Sequence, residues 1–150
     1  MKRDANAETY VEKLMDAILA DDPTRVGMAI DVLTMKMHEP RALIPMRILL
    51  RSPVDAHRLV MAARGLGRLG NPEAIPDLIA ILQNPEQPFV ARTEAARALG
   101  QLDGPLARRA LEQARSDPRP SVARAAEMAL HEREGNHDVG EQHDAEDTAG

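Results

Sequence analysis

Five histidines, one serine–aspartate–histidine trio and a run of glycines are the places where this chain of 150 residues could do chemistry. Imidazole nitrogens and carboxylate oxygens are ligands for zinc and iron, so the dipeptides His38-Glu39 and His131-Glu132 raise a metal site first. A nucleophilic triad can be drawn through Ser52, Asp55 and His57, but no nucleophile elbow or oxyanion motif surrounds it. His137 and His143 stand among acids near the C-terminal end, a setting for adventitious metal binding rather than an ordered centre. The stretch GLGRLG, residues 65–70, has the composition of a phosphate-cradling loop, and such a loop must follow a strand and open a helix. Cysteine is absent, which removes thiolate nucleophiles, disulfides and cysteine-ligated zinc or iron–sulfur clusters.

Which of these residues can meet depends on the elements that carry them. VMAARGLGRL, residues 60–69, is echoed thirty-three positions later by TEAARALGQL, residues 93–102: Arg64, Leu66, Gly67 and Leu69 recur as Arg97, Leu99, Gly100 and Leu102. A small polar residue before proline recurs at a similar period, in Asp22-Pro23, Ser52-Pro53, Asn84-Pro85 and Asp117-Pro118. Such self-similarity marks a repeat array. Each dipeptide reads as a turn whose side-chain oxygen takes orphan helix amides. Between the turns the apolar period is helical: Ala74, Ile75, Leu78, Ile79 and Leu82, then Ala91, Ala95, Ala98, Leu99 and Leu102, follow i, i+3, i+4, i+7 spacing or a near variant. The pattern predicts four helical hairpins, pairing 8–20 with 24–37, 41–51 with 54–68, 73–83 with 87–101 and 105–115 with 119–132, and no strand. Alanine pairs at 62–63, 95–96 and 125–126 suit second helices that approach their neighbours closely. GLGRLG then closes a helix instead of opening one, and most of the eight methionines fall on apolar positions as core filling. The expected fold is all-α, a right-handed α-α superhelix whose hairpins bury their faces against one another.

At this level the chain resembles a known family. GNPEAIPDLIAILQNPEQPFVARTEAARALGQL, residues 70–102, resembles a HEAT repeat of the short bacterial type named after phycobilisome lyases. The resemblance is carried by Asn71 to Pro76 at the start of the first helix, the Asn84-Pro85 turn, and Arg92, Ala95, Ala96, Ala98, Leu99 and Gly100 in the second helix. Residues 41–69 and 105–131 are similar but more degenerate, and residues 8–39 match by helical pattern. The resemblance implies an α-solenoid and a range of roles: adaptor, scaffold, chromophore-lyase subunit and, occasionally, metalloenzyme. Deoxyhypusine hydroxylases are similar arrays in which His-Glu pairs opening the second helices hold two irons. The matching slots here read Val60-Met61, Thr93-Glu94 and Arg124-Ala125, without histidine, and His38-Glu39 and His131-Glu132 fall at the ends of second helices instead. No catalytic residue, metal or cofactor is therefore expected.

Composition narrows the partners. Hydrophobic residues make up 43% and charged residues 29%, with Tyr10 and Phe89 the only aromatics, which favours aliphatic helix-on-helix packing. The apolar runs are far shorter than the roughly 20 residues of a membrane span, and MKRDANAETY is followed by no signal-peptide core, so a cytoplasmic location is expected. The net charge of −5 is confined to residues 133–150, REGNHDVGEQHDAEDTAG, where one arginine faces six acids. Two regions follow: a neutral repeat domain, 1–132, and a disordered acidic tail, 133–150, whose one aliphatic side chain larger than alanine is Val139. A neutral body without tryptophan does not suit nucleic acid, which sets aside the DNA alkylation-repair proteins that resemble this chain in architecture.

What remains is surface. With Ala91, Ala95 and Leu99 in the core, the outward side of the second helices presents the rows Asp31, Arg64, Arg97, Met128; Thr93, Arg124; and Arg68, Gln101. Arg64, Arg68, Arg97 and Arg124 are the expected partner-binding residues, with Asp77 and Glu112 on the opposite, first-helix side. Arg97 also stands three residues after Glu94, the spacing of a solvated ion pair. The expected protein is a non-catalytic adaptor for an acidic protein partner, monomeric or weakly self-associating. The alternatives are a chromophore-binding subunit similar to phycobilin lyases and a structural unit assembling end to end.

Overall fold

The computed structural model describes residues 5–132. Helix α1 (Ala5–Ile18) pairs with α2 (Pro23–Asp31), which runs on through a π-helical turn, Val32–Lys36. Helix α3 (Leu43–Arg51), entered through the 3-10 turn Pro40–Ala42, pairs with α4 (Ala56–Leu69). Helix α5 (Ile75–Gln83), entered through Pro72–Ala74, pairs with α6 (Phe89–Leu102), and α7 (Pro105–Ala114) leads into a last helix, α8, residues 120–132. No strand occurs among the described residues. The acidic tail expected at 133–150 lies outside them.

The hairpins stack in register as a solenoid. The second helices form one layer, α2 against α4 and α4 against α6, and the first helices α3, α5 and α7 form the other. Val26, Ile30, Leu33, Leu59, Leu66, Leu78, Leu82, Leu99, Leu111 and Val122 fill the space between layers, and the alanines at 62–63, 95–96 and 125–126 are buried with them. A Cβ placed on Gly67 would lie 3.1 Å from the Cα of Ala98, and one on Gly100 would lie 2.9 Å from the Cβ of Ala129. The backbones of α4, α6 and α8 therefore approach nearly as closely as helices can. Gly70 ends α4 at φ 78°, donating its amide to the Leu66 carbonyl, so GLGRLG closes a helix as its sequence context implied.

The turns depart from the expected chemistry in detail. Only Asp22-Pro23 of the four polar-proline pairs caps a helix, with the Thr24 amide donating to Asp22 Oδ1 at 3.0 Å. Asn84 and Asp117 accept the Glu86 and Arg119 amides at 3.0 and 2.9 Å, folding turns ahead of helices that begin several residues later. Ser52 donates its hydroxyl to the Ile48 carbonyl at 2.6 Å and closes α3. The other caps sit elsewhere: Glu39-Pro40, Asn71-Pro72 and Asp55. The helix expected over 24–37 also changes pitch. Buried Thr34 donates to the Ile30 carbonyl at 2.7 Å, and the chain leaves through Met37 bonding to Val32 and Glu39 to Leu33. No described helix is long and apolar enough to cross a membrane.

Leu99→Ala removes a fully buried side chain and is expected to cost about 2–5 kcal/mol in urea denaturation. Gly100→Ala, a change worth about 1 kcal/mol of gain in an open helix, is expected to lower the midpoint because its methyl meets Ala129. A raised midpoint would mean that the α6–α8 seam is loose.

Candidate interaction face of the second helices

The four arginines expected on the outward side of the second helices are placed there, but not alike. Glu94, almost fully buried on α6, reaches back toward α4, and its Oε1 accepts from both Arg64 and Arg97 at 3.0 Å each. The pair expected between Arg97 and Glu94 is thus a three-centre node spanning two repeats, with the guanidinium-bearing side chains 49% and 60% exposed. Arg68 donates to Asp31 at 2.8 Å across α4 and α2. Arg124 is exposed and has no ion pair or side-chain hydrogen bond among the described residues. Beside it, between α6 and α8, Arg97, Gly100, Gln101, Ala125, Met128, Ala129 and Glu132 line a groove of about 310 Å³. Its floor is methyl groups and backbone because the two helices meet at Gly100 and Ala129.

The residues that suggested chemistry do not assemble. His57 is exposed on α4, the Ser52 hydroxyl is spent on Ile48, and Asp55 accepts the Arg58 amide at 2.9 Å and the Arg58 guanidinium. Asp55 is held below its ordinary 3.8, chiefly by the Arg58 amide. His38 is exposed at φ 47° after the π-turn, and His131 and Glu132 are exposed at the end of α8. Glu39 differs from the exposed helix-end residue expected: it is buried, caps Pro40–Ala42 and takes Arg41 Nε at 2.7 Å. No group of three or more metal-ligating side chains occurs among the described residues.

The sequence pattern misplaced Asp77 and missed a class of residues. Asp77 is buried rather than a free surface acid, accepting Arg47 at 2.5 Å and Arg51 at 2.8 Å across the α3–α5 seam. Arginine–carboxylate ties cross every seam: Arg41 to Glu8 and Arg68 to Asp31, then Arg47 to Asp77 and Arg64 to Glu94, then Arg92 to Asp117. Arg92 is itself buried, donating Nε to the Leu82 carbonyl at 2.9 Å, while Arg119 lies 4.2 Å over the Phe89 ring. Burial pushes the Asp117 carboxyl up, but the Arg92 and Arg119 hydrogen bonds, with the Arg92 charge, outweigh it and hold the group below 3.8. One signal was available. Arg47–Asp77 and Arg64–Glu94 share an offset of thirty residues, one helical turn short of the repeat.

A family model of HEAT repeats matches residues 48–131. The chain belongs to the HEAT-repeat proteins. This array is 37% identical over 65 residues to a deoxyhypusine hydroxylase of Rattus norvegicus, covering 43% of this chain and 22% of that protein. Human deoxyhypusine hydroxylase, solved with glycerol, matches with a TM-score of 0.69 at 25% identity over 83% of this chain and 43% of its own. The CpcE–CpcF complex of phycocyanin lyase from Nostoc sp. PCC7120 matches with a TM-score of 0.60 at 27% identity over 77% of this chain and 52% of its own. The chain thus spans about half the length, or less, of these relatives.

Reversing Arg64 and Arg97 together to Glu would leave Glu94 beside two further carboxylates, so the double variant is expected to lose about 1–3 kcal/mol. Glu94→Gln in the same background should recover part of that loss in urea melts. For Asp117 the sign follows from its lowered value: the stabilisation is complete above the unfolded 3.8 and is lost as pH falls through the lower, folded value. Asp117→Asn is therefore expected to melt lower than the parent at neutral pH, with the gap closing in acid. A gap constant across the titration would remove the Arg92–Asp117 tie as its cause.

Proposed function

We propose that this HEAT array is a non-catalytic adaptor that binds an acidic segment of a protein partner through the second-helix face. The observation that carries the reading is Arg124, an exposed guanidinium without a compensating carboxylate among the described residues, beside the Gly100–Ala125–Ala129 groove. A second uncompensated charge lies at the node where Arg64 and Arg97 share one carboxylate. Methionine and arginine are enriched where proteins meet, and Met128 supplies the thioether, 53% exposed at the groove wall. Arginine fits a carboxylate with a planar fork of donors, which favours an acidic partner. The likeness to a complex of two chains, CpcE and CpcF, agrees with a protein-binding role.

The same likeness favours a second reading, a subunit that handles a bilin chromophore in the manner of a phycocyanin lyase. The groove is near the lower end of small-molecule site volumes, about 300–1,000 Å³. Added bilin separates the two: a red-shifted, stoichiometric absorbance favours the lyase-like reading.

Arg124→Glu tests the adaptor. The substitution is at an exposed position and is expected to shift stability by no more than about 0.5 kcal/mol. Capture of the native partner should fall at least about tenfold, since like charge at an interface costs several kcal/mol, and parent capture should weaken with salt. Capture indifferent to both Arg124→Glu and salt would sink the acidic-partner reading.

A further inference from the structure

The α6–α8 groove opens beside the point where the described chain ends. Glu132 forms part of its rim, and the residues that follow carry six acids, with Val139 set between Asp138 and Glu141. The groove has the complementary layout. Its methyl-lined floor, made by Gly100, Ala125 and Ala129, has Arg97 on the α6 side and Met128 on the α8 side, and exposed Arg124 stands on α8 one turn before Met128. We propose that residues 134–147 of this same chain dock in that groove, Val139 against the floor and the flanking carboxylates on Arg97 and Arg124. The segment then occupies the site that an acidic partner would take. This inference rests on the face assigned under the proposed function.

Reach and charge both allow it. Val139 is seven residues beyond Glu132, up to about 23 Å of chain, while Ala125 lies seven residues back along α8, about 10 Å. The chain can turn back along α8 with slack to spare. Near the groove the Arg64–Glu94–Arg97 node carries one positive charge in excess and Arg124 another, against one acid, Glu132, at the rim where the segment departs. A segment tethered so near its site has an effective concentration in the millimolar range. Weak contacts then suffice for occupancy, and a partner must displace the segment to bind.

Absence of cysteine gives a direct test on the full chain. A nitroxide attached through Ala145→Cys, with carbon-13 methyl-labelled methionine, reports proximity at Met128 against Met28 on α2 and Met35 in the π-helical turn that follows it. Enhanced relaxation is expected at Met128, falling to that of a freely tethered label when Arg124→Glu is added or salt is raised to about 0.5 M, where the Debye length is about 4 Å. The charge-reversed pair Asp138→Lys with Glu141→Lys should abolish the enhancement and increase partner capture several-fold. Met128 relaxation identical with and without Arg124→Glu overturns the docking. If partner capture still falls with Arg124→Glu in that case, the tail inference alone is lost; if capture is also unchanged, the adaptor reading falls with it.

Discussion

The close approach of parallel second helices is the constraint from which the rest of this protein follows. Where α4 meets α6 at Gly67 and Ala98, and α6 meets α8 at Gly100 and Ala129, even a methyl on either glycine would press on the alanine opposite. Long side chains on these helices are displaced to the core side, where leucines point, or to the outward side, where arginines point. The outward face is thus set by packing before it is set by function. Arg64, Arg68, Arg97 and Arg124 come to share one surface because the seams between helices reject them.

Arginine serves two purposes in this array, and the distinction lies in what sits across the seam. Arg41, Arg47, Arg51, Arg68 and Arg92 each meet a carboxylate from a neighbouring repeat, and in the buried one, Arg92, the planar fork satisfies both the Leu82 carbonyl and Asp117. A lysine would supply the charge but not the geometry. The preponderance of arginine over lysine, 16 to 3, then has a structural reason beyond any overall bias in composition. Arg124, like the exposed Arg25, Arg108 and Arg109, stands outside this pattern, with no carboxylate partner among the described residues.

The hairpins were legible in the sequence because burial on one side of a helix imposes a local period, and Leu66, Leu99 and the paired alanines repeat it. The outward placement of the arginines was legible by the same register. Less visible were features that depend on a neighbour. Asp77 looks like any helix-surface acid until α3 is placed beside it, and Glu94 looks like the local partner of Arg97 until Arg64 arrives from the preceding repeat. The pitch change after Asp31 turns on one threonine hydroxyl competing for a helix carbonyl, a choice no periodicity records.

The last seam is fastened unevenly. At the end nearest the interhelical turns, Arg92 holds Asp117 and Arg119 covers Phe89; toward the other end, Arg97, Gln101, Met128 and Glu132 face one another across the groove, and no ion pair joins α6 to α8 among the described residues. A load applied to α8 is therefore resisted by an ion pair at one edge and by apolar contact, such as Gly100 against Ala129, at the other. The final hairpin has the mechanics of a hinged door, with its jamb at Arg92 and its opening edge at Met128. An occupant of the groove would set the angle of that door, and with it the curvature at the end of the array.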